Sequence, residues 1–167
     1  NEDKEMLDQP FTLDELSKSL NDLKPNKSPG EDSLTKEFYE CFWNEISPIY
    51  KKCLDEIEET ENLCNSQKRG LITLVYKKNG REFLGNYRPV SSQNLDVKIL
   101  TRTLAKRLSA VINKLIDQNQ TCLPGRKMNK NIHILQDLID YINKNNYQAL
   151  VLFFDNEKAF DRISHRF

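Results

Sequence analysis

Two groups of residues in this chain have the types and spacing to do chemistry. One is a lone carboxylate: Ala149-Leu150-Val151-Leu152-Phe153-Phe154 is an unbroken apolar run, and Asp155 closes it. Such a run predicts a strand buried on both faces, and an acid at its carboxyl end stands where open α/β sheets place their reacting groups. Taken alone, Asp155 equally suits a plain structural role, capping a helix over Glu157-Lys158-Ala159-Phe160-Asp161-Arg162. The other group is cationic. Lys77, Lys78 and Arg81 surround an Asn-Gly turn signal, Arg88 follows in Asn86-Tyr87-Arg88-Pro89-Val90-Ser91, and Lys98, Arg102 and Lys106 recur at every fourth position. Guanidinium forks and ammonium groups suit phosphate oxygens. The bland alternatives are a surface arginine in a strand for Arg88, and a solvated helix face for the stripe.

The charge balance supports a polyanionic partner. The formal net charge is zero, yet residues 1–65 carry 17 acids against 7 bases, and residues 66–167 carry 8 acids against 18 bases. A segment at +10 attracts a phosphate backbone, and an unevenly spread surface charge is the competing explanation. Cys41, Cys53, Cys64 and Cys122 stand 12, 11 and 58 residues apart with only His133 and His165 as imidazoles. That spacing argues against both a zinc site and a disulfide framework. No apolar run reaches the roughly 18 residues of a membrane helix. The opening Asn1-Glu2-Asp3-Lys4-Glu5 has neither an initiator Met nor a secretory pattern, so both ends read as cuts within a longer intracellular polypeptide.

The elements that must position these residues follow from periodicity. Thr12-Leu13-Asp14-Glu15 forms a capping box, after which Leu13, Leu16, Leu20 and Leu23 recur at helical spacing, and the helix stops at Lys24-Pro25-Asn26-Lys27-Ser28-Pro29-Gly30. A second helix is expected from Asp32 or Ser33, carrying Leu34, Phe38, Phe42, Trp43 and Ile46, with Ser47-Pro48 opening a third. Phe38, Tyr39, Phe42 and Trp43 read as core on one helical face. Leu71-Ile72-Thr73-Leu74-Val75-Tyr76 predicts a strand, and the return through Tyr87-Arg88 makes a hairpin with a basic tip. A long helix over about 96–116 is expected to bury Val97, Leu100, Leu104, Leu108, Val111 and Leu115. Another, after Leu123-Pro124-Gly125-Arg126, turns Ile132, Leu135, Leu138, Ile139 and Ile142 inward.

Four ordered blocks give these elements a family context. Phe153-Phe154-Asp155-Asn156-Glu157-Lys158-Ala159-Phe160-Asp161 resembles the first palm motif of non-LTR (LINE-type) retrotransposon reverse transcriptases. Lys27-Ser28-Pro29-Gly30-Glu31-Asp32 resembles their Lys-Ser-Pro-Gly-x-Asp element. Asn86-Tyr87-Arg88-Pro89-Val90-Ser91 with Asp96, Lys98 and Ile99 resembles their fingers signature, and Gln120, Pro124-Gly125-Arg126 and Asn131-Ile132 fall in the family's order. Two positions depart from it: Ser33 stands where Gly is common, and Gln120-Thr121-Cys122-Leu123 lacks the usual aromatic.

The resemblance implies an α/β (α+β) fragment of a right-hand polymerase, with residues 1–65 as an acidic helical extension, 66–148 as basic fingers and 149–167 as the first palm strand and the start of the next helix. It implies that Asp155, with Asn156 beside it, belongs to a site for two Mg²⁺ ions. It also implies that Lys77, Lys78 and Arg88 contact an incoming deoxynucleoside triphosphate, and that Phe160 is an aromatic gate beneath its sugar. Arg81, Lys98, Arg102 and Lys106 would face nucleic acid. The implied partners are an RNA template, a DNA primer, deoxynucleoside triphosphates and the remainder of the same polypeptide, in the nucleus or cytoplasm and away from membranes. The chain holds no Asp-Asp dipeptide, the family's second carboxylate motif, so alone it is expected to be inactive. The competing readings are a non-catalytic nucleic-acid-binding remnant of a decayed element and a structural helical domain whose charge split docks a partner.

Overall fold

The structure, a computed structural model, describes residues 2–117, 119–121, 123, 125–156 and 164. It divides into two compact units, Asn1–Ile116 and Asp117–Phe167.

In the first unit, α1 (Glu2–Leu7) precedes α2 (Leu13–Asn21). The Thr12 capping box forms: Thr12 Oγ1 accepts from the Glu15 amide at 3.3 Å, and Glu15 Oε2 accepts from the Thr12 amide at 3.1 Å. Together such contacts stabilise a helix start by about 1 kcal/mol. Leu16 and Leu20 then fall on one face, fully buried in a core they share with Phe11, Tyr39, Tyr50, Leu54, Leu95, Ile99 and Leu100.

The middle helices break elsewhere than expected. α3 spans Lys36–Cys41 and α4 spans Trp43–Thr60, joined at Phe42, and Pro48 lies inside α4 instead of opening a new helix. An interior proline costs about 3 kcal/mol. Burial of Tyr50 and Leu54 on the far side of it contributes about 2 kcal/mol each and carries the helix through. Of the aromatic cluster, Tyr39 is buried and Trp43 half-buried, its Nε1 donating to Ser17 Oγ at 2.7 Å. Phe38 and Phe42 are exposed, their rings 5.0 Å apart.

β1 (Gly70–Tyr76) and β2 (Tyr87–Gln93) form the expected antiparallel hairpin, in register from Gly70 opposite Gln93 to Tyr76 opposite Tyr87, with a 3₁₀ turn at Leu84–Asn86. Every residue of β1 is exposed, so the hairpin stands out as a two-stranded arm. α5 (Leu95–Leu115) follows at once. Its buried face is Leu95, Val97, Ile99, Leu100, Thr103 and Val111, while Leu104, Leu108 and Leu115 are exposed. The face is rotated because its four-residue line runs through two polar residues. Thr103 donates to Ser19 Oγ at 2.8 Å, and Arg107 bonds to Glu15, partners that hydropathy cannot anticipate.

In the second unit, α6 (Asn129–Lys144) forms, but none of its residues is buried, and Ile132, Leu138 and Ile139 are exposed. The strand expected at 149–155 is not present. Residues 147–156 have no regular structure, and Phe153 and Phe154 are more than four-fifths exposed. A strand exists only through its ladder, and no described residue pairs with this run, so its peptide groups are left to water.

Candidate nucleotide and nucleic-acid interface

The hairpin presents its cations at the end of a tied loop. Asn86 Nδ2 donates to Gly80 O at 2.6 Å, Tyr87 Oη donates to Arg81 O at 3.1 Å, and Tyr76 Oη donates to Asn79 O. The Tyr76 and Tyr87 rings meet edge-on at 5.7 Å, and the Arg81 guanidinium lies over Tyr76 at 5.1 Å. Asn79, at φ 72°, takes the left-handed turn that asparagine tolerates. Arg88 stands opposite Val75, and the alternation of side chains carries Lys77 onto the same face. Among the described residues Lys77, Lys78 and Arg88 make no ion pair.

The α5 stripe is in a different state. Lys106 Nζ lies 2.7 Å from Asp22 Oδ2 and 3.1 Å from Lys18 O, and Arg102 lies 3.7 Å from the same Asp22 carboxylate. Lys98 Nζ donates to Ser28 O at 3.3 Å. The hydrogen bond from Lys106 holds the Asp22 carboxyl below its ordinary range. All three cations thus make hydrogen bonds or ion pairs with the N-terminal segment.

Sequence reasoning missed Arg107, whose five donors are all used. Nε and Nη2 grip Glu15 at 3.0 and 2.8 Å, Nη1 reaches Leu7 O at 3.3 Å and Gln9 O, and Nη2 reaches Pro10 O at 3.1 Å. The guanidinium also lies 4.7 Å from the centre of the Phe11 ring. Arg107's hydrogen bonds are the chief reason the Glu15 carboxyl is drawn down to about 2. Nothing in the local sequence sets Arg107 apart from the other cations of α5, because its partners lie about 90 to 100 residues upstream.

Two blocks read as family motifs meet in space. Gly30 is buried against the start of α5, where a Cβ would lie 2.1 Å from Asn94 Oδ1 and 2.5 Å from Asn94 N. Asp96 accepts from Gln67 Nε2 at 2.9 Å, caps Val97 N at 2.8 Å, and offers its backbone carbonyl to Tyr50 Oη at 2.6 Å. Ile99 is fully buried. These positions do structural work.

Asp155 and Asn156 are exposed in the irregular segment of the second unit. Among the described residues no cluster of three or more His, Cys, Asp or Glu side chains is placed to hold a metal ion. Asp155 and Asn156 by themselves offer too few oxygen ligands to bridge two ions. Phe160 and Asp161 lie outside the described residues, as does Cys122. No helix among the described residues is long and apolar enough to cross a membrane.

Residues 75–167, from the end of β1 onward, match the family of reverse transcriptases (RNA-dependent DNA polymerases). The chain is also similar to the Transposon TX1 uncharacterized 149 kDa protein of Xenopus laevis, 36% identical over 165 residues, which takes in 98% of this chain. It spans 13% of that protein's length. The matched stretch covers the hairpin tip, α5 and Asp155, and the relative is a transposon protein. The chain belongs to the reverse transcriptase family, as its resemblance to the non-LTR retrotransposon enzymes implies.

Proposed function

We propose that this chain is the fingers portion, with the beginning of the palm, of an RNA-directed DNA polymerase of a non-LTR retrotransposon. The observation that supports it best is that the family match opens on a hairpin whose tip cations have no ion-pair partner among the described residues. On this reading the Arg88 fork and the Lys77 and Lys78 ammonium groups bind the triphosphate of an incoming deoxynucleotide, with Arg81 along the nucleic acid. Lys98, Arg102 and Lys106 remain assigned to nucleic acid only in so far as they can be released from the N-terminal segment. Asp155, with Asn156, would help hold the Mg²⁺ ions that polarise the primer hydroxyl and the leaving pyrophosphate. Phe160 would stand against the ribose 2′-hydroxyl. An RNA template and a DNA primer as substrates imply a nuclear or cytoplasmic setting.

The test is templated primer extension by the full-length polypeptide that carries this chain, compared with Asp155→Asn and Phe160→Val. Asp155→Asn should abolish incorporation of every nucleotide, whereas Phe160→Val should raise ribonucleotide incorporation relative to deoxyribonucleotide. An apolar pocket alone rejects an added hydroxyl only about a hundredfold, so loss of a steric wall would be visible. Full activity in Asp155→Asn would overturn the reading, and an unchanged ratio in Phe160→Val would make that residue a core aromatic. This chain alone, without a second carboxylate motif, should incorporate nothing.

A further inference from the structure

We infer that the Lys27–Asp32 loop is a clamp on the root of the β1–β2 arm, and that Gly30, Asn94 and Gln67 are positioning residues that set the arm's direction. The arm has no support along its length: β1 is exposed throughout, and β2 is exposed except at Tyr87 and Ser92, which are half-buried. An isolated two-stranded hairpin is marginal in water, so its orientation depends on how its two ends enter the body.

Both ends are held by buried amides. Asn94, one residue past β2, is 4% exposed; its Oδ1 accepts from the Asp32 amide and its Nδ2 donates to Ser66 O, each at 3.4 Å. Gln67, three residues before β1, is 3% exposed and joins Cys64 N at 3.2 Å to Asp96 Oδ2 at 2.9 Å. The strand that enters and the strand that leaves are therefore tied to each other through Asn94 and Gln67, and tied to the N-terminal segment through Asp32. Arg69 and Glu31 add an exposed ion pair at 3.4 Å across the same junction. Gly30 makes the approach possible. A Cβ there would lie 2.1–2.7 Å from three Asn94 atoms, two of them backbone, so no rotamer change relieves the clash. An element 40 residues upstream of β1 thus fixes the base of the arm that carries Lys77 and Arg88.

The experiment places a donor and an acceptor fluorophore, through unnatural amino acids, at Asn79 on the tip and Lys52 on α4, and reads the distance distribution in Gly30→Ala and Asn94→Ala. Leu20→Ala, a core cavity that leaves the hydrogen bonds of the root in place, is the control for lost stability. The clamp requires a displaced and broadened distribution in Gly30→Ala and Asn94→Ala at temperatures where all variants are folded, with Leu20→Ala like the parent. Should Gly30→Ala not fold, Asn94→Ala and Gln67→Ala carry the measurement. Distributions identical to the parent in every root variant would overturn the clamp.

The functional consequence rests on the proposed role of the tip. In the full-length polypeptide, Gly30→Ala should raise the nucleotide KM by roughly tenfold or more while kcat falls less, since misplaced binding groups cost affinity steeply. A displaced arm with unchanged KM leaves the clamp standing and removes the tip from the nucleotide site, so the two ideas fail separately.

Discussion

The hairpin tip and the α5 stripe carry the same kinds of side chain in opposite circumstances. Lys77, Lys78 and Arg88 stand on a solvent-exposed arm without ion pairs among the described residues, whereas Arg102 and Lys106 share Asp22, and Arg107 is saturated by Glu15 and three backbone carbonyls. Counting charge along the sequence cannot separate these cases, because the difference lies in which acid or carbonyl the fold brings alongside. Several acids of the negative half, Asp3, Asp22 and Glu15, are paired with cations of α5. Part of the +10 excess after residue 65 is therefore answered internally, and the cations of the arm are among those left open to a polyanion.

The largest effect that would test this contrast is on stability. Arg107→Ala removes five hydrogen bonds and leaves Glu15 and the carbonyls of Leu7, Gln9 and Pro10 without their shared partner, which should cost about 2 kcal/mol in a denaturant titration. Arg107→Lys should recover little, since a point ammonium cannot span Glu15 and the carbonyls of Leu7 and Pro10 together. A loss below about 1 kcal/mol would show that the burial of Leu16, Leu20 and Ile99 holds α2 to α5 unaided.

Next comes a binding effect without a stability effect. Arg88→Ala should leave the denaturation midpoint within about 0.5 kcal/mol, as exposed substitutions do, while weakening triphosphate or RNA binding about tenfold and reducing its salt slope. An Arg88→Ala variant that binds as the parent does but melts early would place Arg88 with the structural cations and dissolve the contrast.

The third effect is on pH. Folding draws the Glu15 carboxyl from 4.5 down to about 2, chiefly through its hydrogen bonds with Arg107. Between those values the unfolded chain binds the proton and the folded chain does not, so stability rises with pH across the window and is lost as pH falls toward 2. The carboxylate is about one-third exposed, which reduces the contribution to about 1 kcal/mol after solvent screening. Glu15→Gln should flatten that part of the stability profile below pH 4.5 relative to the parent, and identical profiles would show the pair to be idle.

Much of this was legible beforehand, and the parts that were not have common causes. The Thr12 box, the hairpin, the extent of α5 and the presence of α6 follow from capping chemistry and periodicity, which are local. The helix break at Phe42, the burial of Thr103 and the grip of Arg107 depend on residues far off in sequence. The Leu104 and Leu108 side chains illustrate the limit: they share the apolar period of Val97 and Val111, yet the face that meets α2 is decided by Ser19 and Glu15. The apolar run before Asp155 had the composition of a strand, but a strand is a property of two chains' worth of backbone, and no described residue provides the second. Of the candidate site, the tip cations were legible because a turn must expose them, whereas the engagement of Lys98, Arg102 and Lys106 required knowing where Ser28, Lys18 and Asp22 would lie.

The smallest expected effect addresses the stripe directly. Asp22 is exposed and holds Lys106 and Arg102 through contacts of 2.7 and 3.7 Å, so its removal should change stability little, as for surface pairs generally. If Asp22 is what keeps these cations from a phosphate backbone, Asp22→Asn should release them. Single-stranded RNA binding would then strengthen by a few-fold at low salt, and the dependence of log affinity on log salt would steepen by about 0.7 for each phosphate newly contacted. The same substitution in an Arg88→Ala background should give the same increment, because the two cation groups are separate. An unchanged slope would mean that Lys18 O and Ser28 O, together with the buried Ser19–Thr103 contact, hold the stripe whether or not Asp22 is charged. In that case α5 contributes architecture alone and the arm carries the binding.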